Sequence, residues 1–531
     1  METFDYIIVG GGTAGCVLAD RLTARGRHRV LMLEAGGRDR GLWLSIPAGF
    51  PKLLTGTRFN WRFETVPEDN TYQRKIVVPR GKGLGGSSLI NGMIFVRGQA
   101  EDFDGWAQAG ARGWSFEEVL PYFKKLESFP EGDPAVRGHD GPMSVERVRL
   151  RPALAEAFIT AGEEAGYPRI EDYNGLSQEG FGYYQVTQKN GRRFSAADAY
   201  LRQAERRPNL IVRCHAHVTG LRIEGQRVVG VDYRVGPDTR SALAGREVVL
   251  TAGAVQSPQL LELSGIGDPA LLKQLGIPVR HALPGVGNHY QDHFCTRMNW
   301  RVKKPVTLNE QARGLSLVKA VLDYARTRSG ILTLGTGLAH AFIKTRPELA
   351  TPDVQYFFMH ASYANAADRK LDSQPGMTIG VTQLRPQSMG HIHIVSADPM
   401  AMPAICPNFL AVQADADCLI EGMRAARHLM QQPAMQDYCA FEMSPGPAVV
   451  TDEAWLDFAR RNGQTIYHPV GTCKMGIDAQ AVVDPTLKLH GMQGLRIVDA
   501  SIMPRLVSAN TEAAVLMIAE KGADLILNAA A

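Results

Sequence analysis

The chain has 531 residues, 45% of them hydrophobic and 21% charged, with a formal net charge of +4 at pH 7. That length accommodates two domains with separate cores, and the weak positive balance includes no dense Lys/Arg stripe interleaved with aromatics, so nucleic acid is not an expected partner. No stretch approaches the roughly 20 uncharged apolar residues of a membrane span, the seven cysteines form no CxxC pair, and the first strand pattern begins too early for a secretory signal.

A cytoplasmic protein without a transmembrane segment, disulfide framework or metal site is therefore expected, with peripheral membrane association left open. Phe4-Asp5-Tyr6-Ile7-Ile8-Val9 reads as a buried strand, and Arg29-Val30-Leu31-Met32-Leu33 as a second. Between them Gly10-Gly11-Gly12-Thr13-Ala14-Gly15 leads into a helix running toward Arg25. In such a βαβ unit the first glycine makes the tight turn, the second lets the backbone approach a pyrophosphate, and the third lets helix and sheet pack. Glu34 closes the second strand about twenty residues on, where a carboxylate accepts a ribose hydroxyl and repels the 2′-phosphate of NADP. These residues alone leave FAD and NAD equally open.

Pro79 to Met93 is a second glycine-rich segment, with small residues, backbone donors and two basic side chains, and it suits a second approach to a long, bulky cofactor. Ser115-Phe116-Glu117-Glu118 has the form of a capping box and predicts a helix through Val119, Leu120, Tyr122 and Phe123. From Asn209 to Val235 short β-branched runs alternate with turns, and Arg246 to Thr251 returns to the sheet. Residues from about Arg301 to Tyr438 mix strands, such as Val354 to Phe358, with helices, such as one around Leu419 to Met430. His391 and His393 share one face of a strand, but no third ligand stands at a metal-site spacing, so a solvated face is expected. A late strand, Gly494 to Val498, ends at Asp499, a residue type that also favours turns and caps.

The segment Pro79-Arg80-Gly81-Lys82-Gly83-Leu84-Gly85-Gly86-Ser87-Ser88-Leu89-Ile90-Asn91-Gly92-Met93 resembles the first sequence signature of the glucose–methanol–choline oxidoreductases, a family of FAD-dependent alcohol dehydrogenases and oxidases. Gly253 to Gly267 resembles the second signature. Leu283-Pro284-Gly285-Val286-Gly287-Asn288 with Gln291-Asp292-His293, then His468-Pro469-Val470-Gly471-Thr472, then Val498 to Pro504, resemble further blocks in the family's order. The likeness spans nearly the whole chain and is strongest to the bacterial choline-dehydrogenase-like branch. It implies an α/β fold in which a Rossmann-like FAD-binding domain is interleaved with an α+β substrate-binding domain of sheet plus helices. The FAD-binding parts are expected at 1–150, 191–300 and 461–531, a lid or substrate segment at 151–190, and the substrate domain at 301–460.

The resemblance selects FAD. It implies that Gly10, Gly12, Gly15 and Glu34 hold the ADP half, with Val218 near the adenine and Thr13, Ala14 and Ala35 also among the cofactor contacts. Gly86, Ser87, Asn91, Gly92 and Met93 are expected along the pyrophosphate and isoalloxazine, and Arg80, Gly85, Ile94, Ala252, Asp499, Ala500, Thr511 and Glu512 among the remaining cofactor contacts. Ile90 stands where some relatives carry a histidine bonded covalently to FAD, so a noncovalent flavin is expected.

His468 matches the family's catalytic histidine, and an imidazole with an ordinary pKa near ~6.5 can be neutral at working pH and accept an alcohol proton. Asn510 matches a position of His or Asn; its amide can hold the substrate oxygen but cannot act as a base, and it is also a favoured cap for a helix starting near Thr511. The expected reaction takes hydride from a primary or secondary alcohol to flavin N5, giving an aldehyde or ketone, with a quinone, carrier protein or oxygen as electron acceptor. The family also offers oxidases, hydroxynitrile lyases and a photodecarboxylase branch as alternatives. Many relatives read Asn-Thr-Asn-Ala-Pro where this chain has Asn510-Thr511-Glu512-Ala513-Ala514. Glu512 is expected first as an acid in the opening turn of a helix; facing the flavin pyrimidine, it would lower the flavin potential. His289 and His293 are expected to border the cofactor domain without reacting, and Cys473 to be unactivated. Choline would need aromatic faces and a carboxylate, which distant segments would have to assemble. Oligomeric state leaves no mark, and a homo-oligomer stays open.

Overall fold

Two seven-stranded sheets organise the computed structural model, which describes residues 1–365 and 369–529. Their strands, in chain order, are β1 (Glu2–Val9), β2 (Val30–Leu33), β3 (Gly180–Tyr183), β4 (Leu210–Arg213), β5 (Ala216–Glu224), β6 (Arg227–Val235), β7 (Asp238–Leu250), β8 (Phe294–Val302), β9 (Ala339–Ile343), β10 (Val354–Met359), β11 (Gly376–Gln383), β12 (Cys439–Ser444), β13 (Gln464–Thr465) and β14 (Leu495–Ile497). The helices that position the site are α1 (Thr13–Thr23), α2 (Phe116–Leu126), α3 (Ala153–Glu164), α4 (Gly253–Leu263), α5 (Gln413–Leu429) and α6 (Glu512–Ala529).

The first sheet runs β4-β2-β1-β7, with β14 on the C-terminal part of β7, and these pairings are all parallel. The N-terminal part of β7 turns instead into an antiparallel meander with β6 and β5. Ile7 to Val9 and Val30 to Leu33 are buried without alternation, as strands covered on both faces require. Helix α1 lies against α6. Arg21 donates to the buried Glu520 at 2.6 Å and Tyr200 donates to the same oxygen at 3.0 Å, so the two helices are tied by a hydrogen-bonded charge pair as well as by apolar packing.

The second sheet runs β12-β8-β11-β10-β9-β3, antiparallel throughout, with β13 beside β8. One face carries helices. Tyr356 donates to Gly422 O of α5 at 2.6 Å, and Phe158 of α3 stacks on Phe358 with centroids 4.4 Å apart. Because strand side chains alternate, Gln355, Phe357 and Met359 point the other way.

The predicted capping box forms: Ser115 N–H donates to Glu118 at 3.0 Å and α2 follows. His391 is exposed as expected, but His393 is not simply solvated, since its Nδ1 lies 2.6 Å from the buried Glu262. Among the described residues no helix is long and apolar enough to cross a membrane, and no three His, Cys, Asp or Glu side chains cluster as metal ligands.

Candidate active site

The turn after β1 is built from glycines with different tasks. Gly10 has φ 107°, open to glycine at no steric cost, and a Cβ there would stand 2.7 Å from Thr251 O. At Gly15 a Cβ would come within 2.1 Å of Gly10 O, so this glycine lets α1 pack on β1. Gly12 differs, because a Cβ there would meet nothing closer than 3.8 Å and would project into a cavity. Gly12 is also the cap of α1 and offers no side-chain acceptor, which leaves first-turn N–H groups to face an anion. Glu34, buried at the end of β2, accepts from Gly11 N–H at 2.8 Å and Gly36 N–H at 2.7 Å, and burial raises its pKa. Gly85 N–H donates to Gly11 O at 2.7 Å and locks the second glycine-rich loop onto the first.

One continuous cavity extends from this turn to the second sheet. Gly10, Gly12, Thr13, Ala14, Glu34, Ala35, Arg80, Gly86, Ser87, Asn91, Gly92, Met93, Ile94, Val218, Ala252, Asp499, Ala500, Thr511 and Glu512 line it, together with His468 and Asn510. Gly15 and Gly85 stand behind the wall, where they act through packing and the loop contact. Asp499 accepts from Gly253 N–H at 2.9 Å, Ser257 Oγ at 2.6 Å and Ser501 N–H at 2.8 Å, so it serves α4 and its own turn while reaching the wall. Arg80 donates to Pro79 O at 2.6 Å and to Tyr467 O, supporting the loop that carries His468. This long cradle, with glycine where a side chain would intrude, bare helix N–H groups and a carboxylate at its end, fits a flavin dinucleotide.

His468 follows β13 and Tyr467, whose φ of 75° is in the left-handed region. Asp292 accepts His468 N–H at 2.8 Å and Tyr290 OH at 2.9 Å, and burial pushes its carboxyl up to about 6. Behind the imidazole lies His293, whose Nε2 is 3.0 Å from Leu384 O. A carbonyl only accepts, so that nitrogen carries hydrogen. Burial lowers the His293 pKa to about 4; the ring is neutral and its Nδ1 holds a lone pair. His293 Nδ1 and His468 Nδ1 are 3.0 Å apart, so His468 must be the donor. Burial, with the Arg80 guanidinium nearby, keeps the His468 pKa well below 6.5. Its Nε2 therefore carries a lone pair at neutral pH, facing Asn510 Nδ2 at 3.3 Å. Asn510 Oδ1 accepts from Gln355 at 3.4 Å, which turns the amide donor toward the imidazole. His293 is thus given no reacting role, as expected, but beyond bordering the cofactor domain its ring holds the His468 imidazole by a hydrogen bond.

Glu512 opens α6, as expected of an acid in the first turn of a helix, and its carboxyl also lines the cavity. Asn91 Nδ2 donates to one of its oxygens, while the other oxygen, also buried, has no hydrogen-bond partner among the described residues. Burial raises its carboxyl to about 7 against the opposing pull of Asn91 and Arg193. Arg193 donates to Asn91 Oδ1 at 2.7 Å and Asn91 O at 2.8 Å; no sequence pattern marks this residue. Also unmarked are Cys295, Arg297, Phe357, Met359, Tyr363, Arg369 and Thr378, which line the far end. Cys473 is buried, and burial pushes its thiol pKa well above the ordinary value, as an unactivated cysteine requires.

The GMC oxidoreductase family models match residues 4–295 and 386–519. The chain is 42% identical to an oxygen-dependent choline dehydrogenase of Photobacterium profundum, over 99% of this chain and 93% of that one, and 44% identical to one of Serratia proteamaculans, over 98% and 95%. Its fold is similar to that of pyridoxine 4-oxidase from Mesorbium loti, with a TM-score of 0.90, 30% identity and 98% of both chains covered. A formate oxidase structure matches with a TM-score of 0.92 and 27% identity, covering 99% of this chain and 98% of that one. The glycine cradle, the buried histidine pair and these likenesses agree: the chain belongs to the GMC oxidoreductases and is an FAD-dependent alcohol oxidoreductase.

Proposed function

We propose that the protein oxidises a primary or secondary alcohol to an aldehyde or ketone, with His468 as the base, Asn510 holding the substrate oxygen, and an acceptor other than NAD taking the electrons. The observation that carries this reading is the directed chain from Leu384 O through His293 to His468, which leaves a lone pair on Nε2 in the same cavity as the glycine cradle. FAD supplies the hydride acceptor, at flavin N5. His468 Nε2 takes the hydroxyl proton, and Asn510 Nδ2 donates to the oxygen as negative charge builds there. The developing alkoxide makes the adjacent carbon a better hydride donor, so the alcohol loses one proton to the imidazole and one hydride, with two electrons, to the cofactor. The imidazolium so formed is disfavoured by burial, which drives the proton onward after each turnover.

The remaining wall residues, from Gly10 and Glu34 through Asn91 to Glu512, are proposed as cofactor contacts, and Ile90 supports a noncovalent flavin. The proposed layout keeps the FAD-binding parts at 1–150, 191–300 and 461–531, with 151–190 and 301–460 on the substrate side. A quinone, a carrier protein or oxygen could each serve as the acceptor. Anaerobic titration of the purified flavoprotein in the dark tests the reaction. An alcohol should bleach the bound flavin, and flavin that stays oxidised with alcohols of every class would overturn the reading.

A further inference from the structure

The face of the second sheet that roofs His468 and Asn510 has its side chains fixed by register. Arg297 on β8 pairs with Gly380 on β11, which pairs with Phe357 on β10. Two residues before Phe357, about 7 Å along the strand, Gln355 holds Asn510. Gly380 itself contributes no side chain between them, and a Cβ there would stand 3.3 Å from Cys295 Sγ and 3.5 Å from Phe357 Cβ. Arg297 is partly buried, lines the cavity, and makes no hydrogen bond or ion pair with any described residue. A second guanidinium, Arg369, reaches the same cavity and donates to Tyr467 OH at 2.8 Å. Its φ of 54° is a left-handed conformation that non-glycine residues keep mainly where the surroundings impose it. The carboxylates on the wall are engaged elsewhere, Glu34 by Gly11 and Gly36 and Asp499 by Gly253 and Ser257, while Glu512 is held through one oxygen by Asn91. Among the described residues, no carboxylate of the second sheet lines the cavity.

We propose that the substrate is an alcohol that also carries an anionic group, in the simplest case a hydroxy carboxylate, with its hydroxyl at His468 and Asn510 and its carboxylate at Arg297, flanked by Arg369. This rests on the alcohol oxidation proposed above. A guanidinium partly withdrawn from water and with no counter-ion among the described residues is matched by a carboxylate, which it can bind through two parallel hydrogen bonds. A quaternary ammonium alcohol meets the reverse situation. Phe357, Tyr363 and Tyr467 line the cavity as aromatic groups that could receive a cation, but the guanidiniums of Arg297 and Arg369 line it too and oppose a positive charge. The chemical step is unchanged: the hydroxyl proton goes to His468, the hydride leaves the carbon for the cofactor, and the product is an oxo carboxylate with its anionic group intact.

The holoenzyme is titrated anaerobically with 3-hydroxypropanoate and 4-hydroxybutanoate, with 1-propanol and 1-butanol, and with choline. In parallel, butanoate, which has no hydroxyl to oxidise, is titrated by calorimetry. The hydroxy acids should bleach the flavin with KM values at least tenfold below those of the neutral alcohols and choline, and butanoate should bind. In R297Q, checked for unchanged flavin content, KM for the hydroxy acids should rise at least tenfold with a much smaller change in kcat, R297K should recover part of the loss, and R297E should shift preference toward choline. Choline or the neutral alcohols matching the hydroxy acids, or R297Q binding butanoate as tightly as the parent, would overturn the proposal. Butanoate bound through Arg297 with no alcohol bleaching the flavin would leave the anion-holding role standing and remove the alcohol-oxidation reading, so the two failures are distinct.

Discussion

His468 can act as a base only while Nε2 keeps its lone pair, and the residues behind it set that condition. Replacing it with Gln should slow anaerobic flavin reduction by roughly 10²- to 10⁴-fold, the range of positioned general bases, measured by stopped-flow absorbance. The pH profile has a defined sign. Protonation removes the base, and its pKa lies well below 6.5, so kcat/KM should be level from pH 9 down to at least 6.5 and fall only at more acid pH. The profile is best taken in an E512Q background, which removes the neighbouring carboxyl; an inflection above pH 7 that persists there would count against His468. His293→Phe takes away the acceptor of the His468 Nδ1 hydrogen and should lower kcat more than it raises KM, with His293→Gln retaining more activity than His293→Phe. Glu512 makes a separate prediction. Its carboxyl is raised from 4.5 to about 7, so the folded chain holds that proton more tightly than the unfolded chain. The associated stability is complete below pH 4.5 and is lost as pH rises toward 7. In apoprotein, the melting temperature of E512Q relative to the parent should therefore increase between pH 4.5 and 7 and then level off; a pH-independent difference would show that the carboxyl is not titrating there.

Individual elements were legible where the signal is local. The β1–α1–β2 unit follows from an apolar run, a glycine turn and a terminal acid, and α2 from a capping box, because each depends on residues within one turn or strand. The same locality makes Gly15 a sharp test. An alanine Cβ would lie 2.1 Å from Gly10 O, a backbone atom that can yield only by moving α1 off β1. Overpacking of this kind costs roughly 1–3 kcal/mol. Gly15→Ala should lower thermal stability and weaken FAD binding in equilibrium dialysis, whereas Gly26→Ala, with nothing within 4 Å of the added Cβ, should leave FAD affinity close to the parent's. Glu512 and His293 were legible as residues but not as neighbours. The contact of Glu512 with Asn91 joins positions 421 apart in sequence, and that of His293 with His468 joins positions 175 apart, so no local pattern could pair them.

At the scale of the whole molecule the second sheet was the least legible part. Its strands alternate with helices and loops, and which face of β8 looks into the cavity depends on its register with β11, a long-range property that residue types alone do not carry. The first sheet supplies the glycine cradle and the second supplies Arg297, Phe357 and Thr378, so a single cavity has walls from both. His468 follows β13, which pairs with β8, while Asn510 precedes α6, which packs on α1 of the first sheet. FAD bound along the whole of this cavity would be held by the pair of sheets and by neither alone. A ligand that binds only the folded state adds about 2.7 kcal/mol at one hundred times its Kd. In scanning calorimetry at rising FAD concentration, the heat absorbed by both sheets should move upward together, and stripping FAD should lower the whole unfolding profile. Two separated transitions with only one dependent on FAD would show instead that the second sheet folds without regard to the cofactor, and that the shared cavity does not couple them.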